Sequence, residues 1–313
     1  MKLKNAQPIQ VSVIIPVFGD FDKQITKIAL YSILNQKGCE LEVIVVTDNC
    51  RFFKDFSCRC VEIPKWAANP TAYNLGAIRN MGAVSSCGER LYFSDGDIIF
   101  KDETFLARSV KKLGNSSALI RPRMRRLPIY EKEFLKNQIH RISAQALIES
   151  LTESGEYFIQ LSDKEYNYYT YSKYDTIERH RRNFTAISDD YKLFHERMWS
   201  HPEENCWPCY WIEDKHCGGL LLKREQFFDV GGYSDNFQNW GCEDTYLIWK
   251  LESVTTLRLF PNSLEVVHVD HKRTHIRPTD WCKNEKRFEM LRSKVGLQKC
   301  ISRDLKKLRS NYA

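Results

Sequence analysis

The chain has 313 residues, of which 42% are hydrophobic, and a formal net charge of +7. It is therefore long enough to bury a full core in one large domain or two small ones. No window approaches the roughly 18 consecutive apolar residues of a membrane span, and the start MKLKNAQPIQ is followed by a strand-like run instead of a signal-peptide core. These features exclude a membrane-embedded protein, and we expect a soluble, cytoplasmic one.

Strand and helix patterns alternate through the first hundred residues. Apolar, β-branched runs predict strands at 11–18, 41–49 and 58–64, and apolar residues at helical spacing predict a helix at 22–36. A second helix is predicted within 69–86, opening near a proline, and one further strand over 90–100. This alternation is typical of a mainly parallel sheet with helices on both faces, whose ligands bind beyond the carboxyl ends of the strands.

The pattern loosens from about Arg121 to Asp214, a segment rich in Tyr, Trp and Phe. We assign no helices or strands there, but the aromatic content is too high for a disordered segment. Regular patterns return over 216–254, and strands are predicted at 256–260 and 264–271.

The chain contains eleven cysteines, an odd total spread over a long sequence. We expect most of them to be reduced thiols, because a disulfide scaffold is typical of short secreted chains. One cluster includes a pair at zinc-ligand spacing but lacks a second spaced pair. This cluster consists of Cys206, Cys209, His216 and Cys217. We favour its interpretation as thiols in an irregular segment, with a structural zinc site as the alternative.

The net positive charge is confined to one segment. Residues 283–309 carry ten Lys or Arg and three Asp or Glu, so the rest of the chain is balanced at 37 against 37. We therefore expect no nucleic-acid partner. Apolar residues at helical spacing predict a helix packed on the body with a solvated basic face, with contact to a membrane surface or an acidic partner as the alternative. Deleting the chain after Gly296 is expected to reduce solubility or partner binding more than activity.

Two carboxylates interrupt the strand predicted over 90–100. Asp95 and Asp97 flank Gly96, and apolar residues resume at once after them. Burying charge at a strand end costs several kcal/mol unless a partner compensates, and a cation is the obvious partner. Gly96 allows the backbone to approach a ligand closely. The alternative is a turn with two solvated aspartates.

Several motifs, taken in order, resemble those of nucleotide-sugar glycosyltransferases with the GT-A fold. VSVIIPVF, VVTDN and AIRNMGA…GERLYFSDGD resemble family 2, and GGLLLKREQFFDVGGYSDNFQNWGCEDTYLIWKL resembles the galactosyltransferase-type module of β-1,4-galactosyltransferases and chondroitin-polymerase-like enzymes. The resemblance covers about 11–100 and 217–271. It implies an α/β, Rossmann-like GT-A fold, with a mainly parallel sheet, helices on both faces and an irregular aromatic-rich insertion.

The resemblance also implies the domain organisation. We expect one GT-A domain over 1–282, with a nucleotide-sugar-binding half at 11–100, a variable acceptor-side region at 101–216 and an acceptor and catalytic half at 217–282. A basic C-terminal helix or tail would follow at 283–313.

A divalent metal is implied at the DxD motif. By resemblance, Asp97 is a metal ligand, and Asp95 contacts the ribose or, through water, the metal. A third ligand is expected at His268, with His271 and His275 as alternatives. An imidazole ligand shifts the preference from Mg²⁺ toward Mn²⁺.

The nucleotide-sugar donor is implied to bind at the ends of the first strands. Asp48 matches the family aspartate that contacts the base, and Arg79 matches the arginine beside the nucleotide and the DxD loop. The TDNC sequence around Asp48 departs from the usual pattern, and a helix-surface arginine is the alternative for Arg79. The wall behind the base is predicted to consist of Pro16, Val17 and Phe18.

The segment NWGCEDTYLIWKL carries the catalytic candidates. Asp244 shares a helix face with Ile248 and Leu251, so we expect it to point inward, as a general base for the acceptor hydroxyl does. The resemblance gives the same role and implies that Glu243 holds the acceptor, while Trp240 would stack on a sugar ring. Alternatively, both acids only complement the helix dipole.

The sequence therefore predicts a metal-dependent, inverting glycosyltransferase. One sugar would pass from a nucleotide sugar, with UDP the expected nucleotide and GDP or dTDP open, to a hydroxyl of a glycan, peptide or small-molecule acceptor. Processive synthases add a QxxRW motif and membrane spans, which are missing here. The alternatives are a nucleotidyltransferase of Rossmann-like fold and a non-catalytic sugar- or peptide-binding module that retains the fold.

Overall fold

The computed structural model describes residues 8–19, 21, 23–64, 67, 73–100, 102–127, 219–239, 241–255, 257–259, 264–269 and 278–312. Several predicted site residues lie outside these ranges, namely Trp240, His271, His275, Cys206, Cys209, His216 and Cys217. Most of the aromatic-rich segment also lies outside them.

Seven strands form the main sheet, in the order β3-β2-β1-β4-β8-β6-β9. The pairs β1–β2, β1–β4, β2–β3 and β6–β9 are parallel, whereas β8 runs antiparallel to both of its neighbours. The sheet is therefore mainly parallel, as predicted. Its strands are β1 (Val11–Val17), β2 (Leu41–Thr47), β3 (Arg59–Glu62), β4 (Arg90–Ser94), β6 (Ala118–Ile120), β8 (Gly219–Lys223) and β9 (Leu257–Leu259).

A second, three-stranded sheet has the order β5-β10-β7. Its strands are β5 (Ile98–Phe100), β7 (Arg123–Leu127) and β10 (Glu265–Val269). The sequence predicted one strand over 90–100, and this prediction is wrong. The turn at Asp95–Asp97 divides that run into β4 of the main sheet and β5 of the small sheet, although both parts are apolar.

Helices cover both faces of the main sheet. They are α1 (Lys23–Leu34), α2 (Leu75–Val84), α3 (Phe105–Leu113), α4 (Arg224–Asp229), α5 (Glu243–Leu251), α6 (Pro278–Met290) and α7 (Leu297–Tyr312), with a π-helical turn over Leu291–Val295. Side chains of β1 alternate between two hydrophobic clusters, since Val13 and Ile15 belong to one and Ile14 to the other. The alternation confirms that both faces of this central strand are buried.

Helix α2 begins at Leu75, later than the expected start near Pro70. The Asn74 side chain accepts a hydrogen bond from the backbone nitrogen of Ala77 at 2.8 Å and so caps the helix. The helix also lies very close to the sheet, because a Cβ at Gly82 would be 2.4 Å from Ile14. This close approach fixes the position of Arg79 on the same helix.

The basic C-terminal segment is helical and packs on the body, as its apolar spacing predicted. Helix α7 buries Cys300, Ile301, Asp304 and Leu308 and exposes Lys299, Lys306 and Arg309. It therefore belongs to the folded body. The predicted boundary at residue 282 falls inside α6.

No helix within the described ranges combines the length and the apolar character that crossing a membrane would require.

Candidate active site

The predicted donor residues lie at the carboxyl ends of the parallel strands. Phe18, Asp48 and Asp95 directly follow β1, β2 and β4, which are neighbours in the sheet. Asp48 accepts a hydrogen bond from the backbone nitrogen of Gly19 at 2.7 Å, and its other oxygen lies 3.9 Å from the Lys23 ammonium. Asp48 is therefore held at the rim of the sheet, just beyond the carboxyl end of β2, where its exposed side chain can contact a ligand.

The wall predicted at the end of β1 has a buried and an exposed part. Pro16 and Val17 are buried in the strand, whereas Phe18 is half-buried and its ring lies 5.1 Å from that of Tyr73. Tyr73 was not among the predicted site residues. An aromatic residue just before a helix that carries site residues is the signal that could have identified it.

Arg79 is the centre of the site. Its side chain is 2% exposed, so the alternative of a helix-surface arginine is wrong. One terminal nitrogen donates to Asp95 Oδ1 at 2.8 Å, and the other donates to Asp244 Oδ1 at 2.9 Å and to Glu243 Oε1 at 3.3 Å. The guanidinium thus joins the DxD motif to the acidic pair that begins α5, which are separated by well over a hundred residues in sequence.

Tyr233 contributes a second contact to Asp244. Its hydroxyl donates to Asp244 Oδ1 at 3.0 Å, and its ring faces the Arg79 guanidinium at 5.1 Å. Arg79 and Tyr233 therefore both bind Oδ1. Sequence reasoning missed Tyr233, although it follows two adjacent glycines within the motif that carried the resemblance.

Asp244 was expected to be the inward-pointing acid of α5, but Glu243 is the more buried of the two. Asp244 is 18% exposed and Glu243 only 6%, so Glu243 is the more inward-pointing side chain. Removal from water, together with the charge and hydrogen bond of Asp244, raises the pKa of Glu243 from 4.5 to about 8, against the opposing effect of Arg79. Glu243 is thus protonated at neutral pH.

Asp95 shows a smaller shift in the same direction. Partial removal from water raises its pKa from 3.8 to about 6; Asp97 and Asp244 act in the same sense, and Arg79 opposes them. Its side chain remains 34% exposed. Asp95 is therefore largely ionised at pH 7 and open to a ligand.

The loop before α5 has an unusual backbone. Among the described residues, Asn239 and Cys242 are the non-glycine residues with positive φ, at 60° and 68°, and Gly241 lies between them at 107°. A Cβ at Gly241 would also be 2.7 Å from the Trp281 ring. Such backbone conformations are costly and concentrate at functional sites. This loop sets the direction in which Glu243 and Asp244 leave the helix start.

Asp97 and His268 meet on the small sheet. His268 pairs with Ile98 across the antiparallel strands β10 and β5, and its Nε2 lies 3.1 Å from Asp97 Oδ2. Both side chains are buried. A carboxylate oxygen and an imidazole nitrogen at this separation fit a transition metal such as Mn²⁺. Over the described part of the chain, no three such side chains are gathered closely enough to form a metal site by themselves.

The predicted residues thus form two adjacent groups. The first group consists of the Arg79 guanidinium and the three carboxylates that it binds, those of Asp95, Glu243 and Asp244. The second group is the contact between Asp97 and His268, and Gly96 alone separates Asp97 from Asp95 in the chain.

Comparison with protein families finds one match. A family described as the N-terminal domain of galactosyltransferase matches residues 201–275, a segment that includes Tyr233, Glu243, Asp244 and His268. A comparison with curated proteins found no significant match.

Solved structures with a similar architecture are known. S. aureus TarS 1–349 in complex with UDP-GlcNAc is 12% identical, with a TM-score of 0.51, over 96% of this chain and 72% of that one. The same TarS fragment without the ligand gives a TM-score of 0.50 at 12% identity, over 97% and 74%. A mannosyltransferase from Pyrobaculum calidifontis, PcManGT, in complex with GDP-Man and Mn²⁺, is 13% identical with a TM-score of 0.46, over 98% and 78%.

These findings identify the fold and support one class of protein. The fold is the α/β GT-A fold of nucleotide-sugar glycosyltransferases, as predicted. The galactosyltransferase match covers the segment that supplies α5 and β10 to the site. Fold and matched segment together support a glycosyltransferase.

Proposed function

We propose that the protein is a metal-dependent, inverting glycosyltransferase that moves one sugar from a nucleotide sugar to an acceptor hydroxyl. The observation that carries this proposal is the Arg79 bridge. It holds Asp95 of the DxD motif and Asp244 at the start of α5 on one guanidinium, at 2.8 and 2.9 Å. A donor diphosphate beside Asp95 and an acceptor beside Asp244 would therefore lie next to each other.

The donor side is formed by the ends of β1, β2 and β4. Phe18 and Tyr73 offer aromatic surface for a base, and Asp48 offers a carboxylate at the same rim. UDP is the nucleotide we assign; TarS, which shares the fold, is known in complex with UDP-GlcNAc. Asp97 and His268 would hold Mn²⁺ or Mg²⁺, with Asp95 beside them. Such a cation, when bound, neutralises the charge that develops on the diphosphate leaving group.

Asp244 is the residue we assign as general base. Arg79 and Tyr233 hold Oδ1, so the carboxylate has a fixed orientation and Oδ2 can face the acceptor. Oδ2 takes the proton of the acceptor hydroxyl as its oxygen attacks the anomeric carbon from the side opposite the diphosphate. Attack from that side inverts the configuration at this carbon.

Glu243 has a different role because it carries a proton at neutral pH. A protonated carboxyl group can donate a hydrogen bond, which an ionised one cannot. We assign Glu243 to hold the acceptor, whose oxygens can accept that bond. The acceptor is a glycan, peptide or small molecule with a free hydroxyl.

Release of UDP from a panel of UDP-sugars, with Mn²⁺ or with EDTA, tests this proposal. We expect release from at least one donor, dependent on the metal and lost in Asp244→Asn. Binding of UDP-sugars without any release, in the presence of glycan and peptide acceptors, would instead favour a non-catalytic binding module. Formation of UDP-sugar from UTP and a sugar phosphate would favour a nucleotidyltransferase.

A further inference from the structure

Helix α5 carries a buried ion pair at the end opposite to the acidic pair. The Lys250 ammonium is fully buried and donates to Asp304 Oδ2 at 2.7 Å and to the carbonyl oxygen of Gly232 at 2.7 Å. Burial lowers the pKa of Lys250, and the Asp304 carboxylate opposes this effect. Asp304 belongs to α7, so the ion pair joins the C-terminal helix to α5, the helix whose first turn carries Asp244.

Asp304 also holds the loop that precedes the site. Its second oxygen, Oδ1, accepts a hydrogen bond from the Ser234 hydroxyl at 3.1 Å. The loop runs directly against α7, because a Cβ at Gly231 would be 2.4 Å from the backbone nitrogen of Leu305. Lys307, one turn further along α7, pairs with Asp235 at 2.6 Å.

Tyr233 lies between the two residues that this ion pair fixes. Lys250 holds Gly232 on one side, and Asp304 holds Ser234 on the other. The backbone nitrogen and oxygen of Tyr233 both bind the side chain of Asn80 at 2.9 Å. With its backbone fixed in this way, the tyrosine has one direction in which its hydroxyl reaches Asp244.

We propose that Asp304 is a positioning residue for Asp244, acting through Lys250, Ser234 and the loop that presents the Tyr233 hydroxyl. This inference rests on the proposed role of Asp244 as general base. A buried ion pair stabilises a protein little compared with an apolar pair of the same volume. The directional contacts to Gly232 and Ser234 are what an apolar pair could not replace.

The test is the double variant Lys250→Met/Asp304→Leu, which removes both charges of the buried pair together, so that neither is left buried without the other. We expect kcat for UDP release to fall about tenfold, since a small displacement of a catalytic group is sufficient for such a loss. The KM for the UDP-sugar should stay within twofold, because the contacts of the donor site are unchanged. The matched control is Leu308→Ala, which removes packing from the same helix; its Tm should fall while kcat stays within twofold. A folded double variant with wild-type kcat overturns the proposal.

A double-mutant cycle measured by Tm separates this inference from the proposed function. Tyr233→Phe should lower the Tm of the wild-type chain by about 2–4 °C through loss of its hydrogen bond to Asp244. In the Lys250→Met/Asp304→Leu background, the same substitution should have less than half of that effect. Equal Tm shifts in both backgrounds overturn the positioning role. If the wild-type chain releases no UDP from any donor, the proposed function fails, and the cycle alone decides whether Asp304 orients Tyr233.

Discussion

Arg79→Met removes the group on which three carboxylates converge. The guanidinium binds Asp95, Glu243 and Asp244 through its two terminal nitrogens, and its side chain is 2% exposed. Methionine fills a similar length without charge. The variant therefore isolates the electrostatic role of Arg79 from the packing of its side chain.

The expected loss depends on which carboxylates are ionised. At pH 7, Asp95, with a pKa of about 6, is largely ionised, whereas Glu243, with a pKa of about 8, is largely protonated. Breaking a fully buried ion pair costs about 3–5 kcal/mol, and an exposed pair contributes about 1 kcal/mol or less. Because Asp95 is 34% exposed and Asp244 18%, we expect a loss of about 2–3 kcal/mol at pH 7.

The loss should be smaller at pH 5, because Asp95, with a pKa of about 6, is then protonated and no longer needs a counter-ion. Urea unfolding at pH 7 and pH 5 measures both values. Arg79→Lys is the control, since it keeps the charge but lacks the second nitrogen, and we expect an intermediate loss. An unchanged urea midpoint for Arg79→Met at pH 7, or a loss that grows as pH falls, would refute this account.

Three further substitutions separate the other roles. Asp244→Asn keeps the shape of the helix start but removes the proposed base. The rate of UDP release should therefore fall by about 10²-fold or more, while the affinities for UDP and Mn²⁺ change only a few-fold. A folded variant with a near wild-type rate would place the base elsewhere. Glu243→Gln should weaken acceptor affinity. The same substitution should also reduce the pH dependence of the free energy of unfolding. Between pH 4.5 and about 8, Glu243 keeps its proton in the native state but releases it in the unfolded chain. The wild-type free energy of unfolding should therefore fall as pH rises through that window, by up to about 1.4 kcal/mol per pH unit. Urea unfolding across pH 5–8 measures this dependence, and an equal slope of unfolding free energy against pH in the wild type and in Glu243→Gln would contradict the prediction. Asp97→Ala should abolish metal-dependent donor binding, and calorimetry showing unchanged UDP affinity in the presence of Mn²⁺ would count against the metal role.

Local sequence patterns were sufficient to predict most of the main sheet. The β-branched runs of β1 and β2 and the helical spacing of α1 are strong signals, because both faces of these strands are buried. The division of residues 90–100 into strands of two sheets could not be predicted. Residues 91–93 and Ile98–Phe100 are both apolar, and only the three-dimensional path of the Asp95–Asp97 turn separates them.

The residues of the candidate site could be proposed from the sequence where a motif carries them, and less so where their contacts depend on the fold. Asp95, Asp97 and Asp244 belong to such motifs, and their roles stay predictions. Helical spacing placed Asp244 inward, but the positive φ of Cys242 sets the helix start so that Glu243 is the more buried acid. Tyr233 was missed because its role depends on a hydrogen bond that only the folded loop creates.

The turn at Asp95–Asp97 lies at the joint between the two sheets. Asp95 directly follows β4 of the main sheet and is bound to Arg79, whereas Asp97 directly precedes β5 of the small sheet and contacts His268. The joint is tightly enclosed, since a Cβ at Gly96 would be 3.1 Å from the Thr26 hydroxyl. The two aspartates therefore belong to different mechanical units. On the proposal that Asp97 and His268 hold the metal, substitutions within the small sheet would change the metal preference while the Arg79 cluster keeps its geometry, so each half of the motif could be engineered separately.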